Sequence, residues 1–106
     1  MRFYERLYFG EKAKKSRFAI LQAVREEKTS GYYVLTPASN EKNLLDMYSA
    51  SALNQPYYKQ QDLLIVGVAA DYQDAAMLVG RIVGDVYKKT GGYDVGAFLK
   101  QEMALQ

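Results

Sequence analysis

A chain of 106 residues with 49% apolar content is sized for one globular domain and is too apolar to stay disordered. It has no Cys and no His, which excludes disulfide and thiolate chemistry and removes the commonest general base and metal ligand. The net charge of +2 is too small to argue for a nucleic-acid partner, yet it is unevenly placed: residues 1–28 carry 8 Lys or Arg against 4 acids, leaving 6 against 8 for the remainder.

Residues 2–9 read as a first strand. Aromatic Phe3, Tyr4, Tyr8 and Phe9 surround charged Glu5 and Arg6, a mixture that suits an exposed sheet edge. Gly10 closes it. Residues 11–28 read as a helix with Ala13, Ile20, Leu21 and Val24 on one face and Phe18 beside it. Lys12, Lys14, Lys15, Arg17 and Arg25 fall mainly outside that face. Such charge is first of all a solvated surface, and only second a phosphate- or acid-binding one.

After a turn at residues 29–31, Tyr32, Tyr33, Val34 and Leu35 form a second strand, which Pro37 breaks. Ser39 or Asn40 is placed to cap a helix predicted over residues 41–54, lined by Leu44, Leu45, Tyr48 and Ala52. Pro56 stops it. Residues 55–61, QPYYKQQ, read as a polar loop in which Tyr57 and Tyr58 either pack over the core or stack on a ligand.

Residues 63–70 are an unbroken apolar run, the mark of a strand covered on both faces, with Gly67 as a bulge or a close backbone approach. Asp71 stands at the N-cap of the next helix and Asp74 in its first turn, where acids suit the helix dipole. From Tyr72 to Lys89 the apolar residues keep helical spacing, and Gly91 and Gly92 supply a glycine stop. Ala76, Gly80 and Gly84 form a stripe of small residues at spacing four. Each helical glycine costs about 1 kcal/mol relative to Ala, so the stripe asks for a compensating contact. Three are open: packing on the chain's own sheet, a helix–helix contact between two subunits, or a ligand against bare backbone. Asp94 is placed to cap a short closing helix that carries Phe98 and Leu99.

Strand and helix thus alternate three times before a short tail. The expected fold is α/β: a single domain over residues 1–106, with three strand–helix units forming a narrow sheet packed with helices. The longest apolar run is well short of the ~20 residues that cross a bilayer. With no signal-peptide core at the N-terminus, the expected location is cytoplasmic, with no membrane partner.

The segments LLDMYSASALNQPYYK, IVGVAADYQDAAMLVGRIVGDVY and KTGGYDVGAFL together resemble a group of small uncharacterised bacterial proteins. The resemblance covers roughly the last two thirds of the chain. It implies a bacterial, intracellular domain and carries no activity with it.

Three functional readings follow. The first is an interaction module that forms a homodimer through Ala76, Gly80 and Gly84, served by the 10 Tyr. The second is nucleic-acid binding, with Lys12, Lys14, Lys15 and Arg17 on phosphates and Tyr57 and Tyr58 stacking. The third is a ligand-binding or enzymatic site at strand-end loops, where Ser39, Asn40, Asp71 and Tyr72 present helix N-termini to an anion. That third reading requires parallel strands. No nucleophile, phosphate-loop motif or metal-ligand cluster marks a catalytic centre, and no cofactor or metal is expected.

Overall fold

In the computed structural model, which describes residues 2–38 and 44–104 with side chains as far as Leu99, ten elements follow one another. They are β1 (Arg2–Phe9), α1 (Glu11–Lys14), α2 (Arg17–Arg25), β2 (Tyr33–Pro37), β3 (Leu45–Ser49), α3 (Ala50–Leu53), α4 (Pro56–Lys59), β4 (Leu64–Ala69), α5 (Tyr72–Thr90) and α6 (Val95–Ala104). The four strands form one sheet in the order β1-β4-β2-β3. β1 runs parallel to β4, while β2 is antiparallel to both β4 and β3. The α/β class expected from the alternation is what the chain adopts.

The apolar run at residues 63–70 becomes β4, an inner strand with Ile65, Val66, Val68 and Ala69 fully buried. Burial from both sides explains why it shows no polar alternation. On one face, α1, α2 and α3 close a core around Ala13, Ile20, Val24, Leu53, Ile65 and Val68. On the other, α5 and α6 pack Leu78, Ile82, Val86, Phe98 and Leu99 against Leu35 and Val66. The result is a three-layer sandwich.

β1 lies at the sheet edge, as its mixed composition predicts. Its pairing with β4 is irregular. Phe3 stands opposite Ile65 and Tyr8 opposite Gly67, so residues 4–7 bulge out against Val66 alone. A bulge of this kind twists an edge and discourages indiscriminate strand addition.

The second strand–helix unit departs from expectation. The helix predicted over residues 41–54 is not formed, because Leu45–Ser49 is strand β3, registered from Pro37↔Leu45 to Tyr33↔Ser49. Without β3, β2 would offer a row of unpaired backbone groups along one side, and hairpin pairing removes that cost. Leu45 and Met47 pack on the α5 side and Tyr48 on the α2 side, a period of two hidden inside a stretch that also permits a helical reading. Helix begins only at Ala50, where the Ser49 hydroxyl accepts the Ala52 N–H. Pro56 opens the single turn α4 instead of ending a helix, and the predicted helix over residues 11–28 is divided at Lys15 and Ser16.

α5 follows its sequence signals closely. Asp71 accepts the Asp74 N–H at the cap, and Gly91 ends the helix at φ 75° with its N–H on the Tyr87 carbonyl. Asp94 caps α6 through the Ala97 N–H.

Gly67 answers to close approach. A Cβ there would lie 3.1 Å from Leu78 Cδ2 and 3.2 Å from Leu35 Cδ1. Gly67→Val, which adds two further methyls, is expected to destabilise the fold by about 2–3 kcal/mol through overpacking, read as a lower urea midpoint at constant slope. An unchanged midpoint would show that Leu35 and Leu78 yield freely.

Candidate functional site

Because β2 runs against its neighbours, the sheet has one end where β1, β3 and β4 all finish. Gly10, Ser49 and Asp71 stand there as the caps of α1, α3 and α5. The centre of this end is the Asp74 side chain, 4% exposed. Its Oδ1 accepts the Lys12 N–H (3.1 Å) and its Oδ2 accepts the N–H groups of Ala13 (3.2 Å) and Ala70 (3.0 Å). One carboxylate from α5 therefore supplies the capping oxygens that Gly10 lacks and fastens the start of α1 to the end of β4. Any side chain at residue 10 would collide with it, since a Cβ there falls 2.2 Å from Asp74 Oδ2.

Around this carboxylate lie two ion pairs. The Lys12 ammonium reaches Asp71 Oδ2 at 2.8 Å, which holds the Asp71 carboxyl below its ordinary range and raises the Lys12 pKa. Arg81 donates to Glu11 Oε1 at 2.8 Å and to the Phe9 carbonyl. A cavity of about 240 Å³ beside the Arg81–Glu11 pair is lined by Gly10, Glu11, Asp74, Met77, Leu78 and Arg81. Its cation is already matched by Glu11, and the turn that would cradle a phosphate is filled by the chain's own carboxylate.

Of the predicted ligand loops, the strand end before Ser39 and the Asp71–Tyr72 turn are described. Thr36 and Pro37 lead out of β2 beside Asp46 and Leu45, at the end of the sheet opposite Asp71 and Tyr72. The parallel sheet that a joint site required is absent, and Ser39 and Asn40 themselves lie outside the described residues. Tyr72 is exposed and meets Tyr33 edge-on at 6.1 Å.

The residues proposed to hold nucleic acid are likewise divided. Lys12 is paired with Asp71, Lys14 with Glu11 at 3.4 Å, and the Arg17 guanidinium lies 4.8 Å over the Phe9 ring on the β1 side. Tyr58 packs 4.9 Å from Tyr48 of β3, the opposite sheet edge, with the exposed Tyr57 against it. Lys15 is exposed. Among the described residues no group of three or more Asp or Glu is gathered to hold a metal ion, and no helix is long and apolar enough to cross a membrane.

The small-residue stripe has the clearest outcome. Ala76 and Gly80 are exposed at the helix surface, and Gly84 is half-buried. A Cβ added at Gly80 or Gly84 would meet nothing within 4 Å. Packing on the chain's own sheet is therefore not what these glycines serve. The charged residues of this part of α5 turn elsewhere, Arg81 to Glu11 and Phe9, and Asp85 to the Tyr8 hydroxyl. What remains outward between Ala76 and Tyr87 is Ala76, Met77, Gly80, Gly84 and Tyr87, an uncharged strip that ends at the exposed Lys88.

No protein-family model matches the chain, and neither a curated protein nor a solved structure matches it.

The Asp74 and Tyr8 bonds can each be tested by substitution. Asp74→Ala strands three backbone N–H groups at once and should cost about 3 kcal/mol or more, with Asp74→Asn intermediate because one acceptor oxygen survives. Urea unfolding measures both, and a loss under about 1 kcal/mol for the alanine variant would show that water substitutes for the carboxylate. Tyr8 is pushed up to about 12 by burial and by the Asp85 carboxylate that accepts its hydroxyl. The neutral phenol is thus the folded form. The stability it contributes is fully present below the ordinary value of 10.0 and is lost as pH rises through about 12. In Tyr8→Phe this alkaline loss of stability should be smaller, and tyrosinate absorbance should lose a component that titrates near 12.

Proposed function

We propose that the chain is a small bacterial, intracellular interaction module that self-associates through the outer face of α5. The observation that carries this reading is the uncharged strip of Ala76, Met77, Gly80, Gly84 and Tyr87, in which two glycines face open space. Each glycine forgoes about 1 kcal/mol of helix stability that Ala would provide. Among the described residues no contact at Gly80 or Gly84 compensates for that loss. Two such helices crossing at the glycines approach closely enough to pack backbone against backbone, with Met77 and Tyr87 flanking the crossing. A two-fold arrangement suits the strip, because the same patch then serves both subunits.

Sedimentation velocity at micromolar concentration should give a dimer. Gly80→Leu combined with Gly84→Leu should give a monomer with an unchanged circular dichroism spectrum, since the added side chains start from positions open to solvent. Gly80→Ala and Gly84→Ala should each raise the stability of the isolated subunit by about 1 kcal/mol. A compact wild-type monomer, or a dimer indifferent to both leucines, ends the proposal.

A further inference from the structure

The cavity of about 240 Å³ beside α5 is lined by two acids, Glu11 and Asp74, against one cation, Arg81. The oxygens of Asp74 are committed to three N–H groups. Glu11 is only half committed. Its Oε1 accepts from both Arg81 and Lys14, while its Oε2, on an exposed side chain, meets no donor among the described residues. A free carboxylate oxygen on a lining with an excess of acid suits one further cation.

Such a cation lies on the same flank of α5. Met77, Arg81 and Lys88 follow at spacings of four and seven residues, which keeps them along one side of the helix. Lys88 is exposed and has no carboxylate partner among the described residues. In its own subunit it stands about 16 Å along the axis from Met77 on the cavity wall, beyond the reach of a lysine side chain.

A second copy removes that separation when the outer faces of two α5 helices meet as proposed above. The two-fold axis then passes midway between Gly80 and Gly84, at the level of Ile82. In the antiparallel orientation Gly80 faces the partner subunit's Gly84 and Met77 faces the partner subunit's Tyr87, because each pair is equidistant from residue 82. Like flanks of the two helices lie together. Lys88, six residues past the axis, comes level with the partner subunit's Ala76, six residues before it. A helical side chain leans toward its own N-terminus, so the Lys88 ammonium swings alongside the cavity wall of the partner. In the parallel orientation unlike flanks meet, and Lys88 lies against Val83 and Thr90, which carry no charge. The seven-residue intervals from Met77 to Gly84 and from Gly80 to Tyr87 suit a shallow crossing that sustains these contacts along the helices.

We infer that α5 pairs antiparallel with a second copy of the chain, and that Lys88 of each subunit enters the cavity of the other and binds Glu11. The inference rests on self-association through the outer face of α5. Tyr87 is held for its contact with the opposing Met77 by its stack on Tyr93, 5.1 Å between ring centroids.

Sedimentation velocity of charge-reversed variants tests the pairing. Lys88→Glu should weaken the dimer about tenfold, because the contact occurs twice across the two-fold axis and turns from attraction to repulsion. Glu11→Lys should weaken it similarly, and the two changes together should restore it. Glu11→Lys also disturbs Arg81 and Lys14, so circular dichroism and the urea midpoint accompany it. Orientation is read separately, in a chain with no native Cys. Met77→Cys chains mixed with Tyr87→Cys chains should be joined by a short bis-maleimide. Neither variant should link to itself, since the antiparallel crossing sets identical positions about 15 Å apart along the axis. A dimer broken by the two leucine substitutions yet indifferent to Lys88→Glu overturns this inference alone. So does a double charge reversal no tighter than either single one, or self-linking of Met77→Cys chains. A wild-type monomer overturns the self-association and this inference with it.

Discussion

The Asp74 carboxylate is the contact on which the arrangement of this chain depends. Three backbone donors, at Lys12, Ala13 and Ala70, converge on its two oxygens in a buried position. Each would otherwise be stranded away from water, and charge-assisted bonds to a carboxylate are the stronger kind. The contact joins the first turn of α5, the end of β4 and the start of α1, the last of which is remote in sequence. It also explains the glycine at residue 10 by lack of room, since its backbone angles, φ −62° and ψ 158°, are open to any residue. The neighbouring pairs, Lys12 with Asp71 and Arg81 with Glu11, are exposed and add only modest stability. Their effect is to neutralise the rim of the one sheet end that collects helix N-termini.

That arrangement separates the two outer surfaces of the molecule. On the α5 side Arg81 and Asp85 turn toward Glu11 and β1, leaving small and apolar residues outward from Ala76 to Tyr87, with the exposed Lys88 beyond them. On the α2 side the cations remain outward and flank apolar side chains of β1. The basic excess of residues 1–28 is thereby divided. Part of it secures the sheet end through Lys12, and part of it, Arg17 and Arg25, borders the surface between β1 and α2. Lys12 and Arg17, close in sequence, thus meet different partners, the Asp71 carboxylate and the Phe9 ring.

Local signals are readable wherever one segment decides its own structure. The buried run of β4, the Asp71 cap, the spacing of α5 and the Gly91 stop need no distant partner to be recognised. Residues 45–49 are different. Leu45, Met47 and Tyr48 satisfy a helical face and an alternating strand equally well, and the choice falls to β2, whose open side requires a partner. The strand directions are equally out of reach, because nothing in residues 29–40 states that β2 enters the sheet against its neighbours. With that direction hidden, the end of β2 and the end of β4 read as one site, though they lie at opposite ends of the sheet. Asp74 is visible in the sequence only as a first-turn acid. Its larger role depends on Gly10 and Asp74 being neighbours across more than sixty residues, which no spacing along the chain reveals.

The pairing of β1 with β4 sets an order on synthesis. Of the four strands, β1 leaves the ribosome first, and its single strand neighbour begins only at Leu64. Until then β1 has no ladder to join, and α1, a single turn, has no acceptor for its leading N–H groups. β2 and β3 are able to form their hairpin earlier, since their contacts are local. Once β4 is made, Asp74 follows within a few residues, so the strand that completes the sheet and the carboxylate that secures the first helix arrive almost together. The segment from β1 to α2 is thus made early and finished last, and during that interval its aromatic strand is exposed to chaperones and to neighbouring chains.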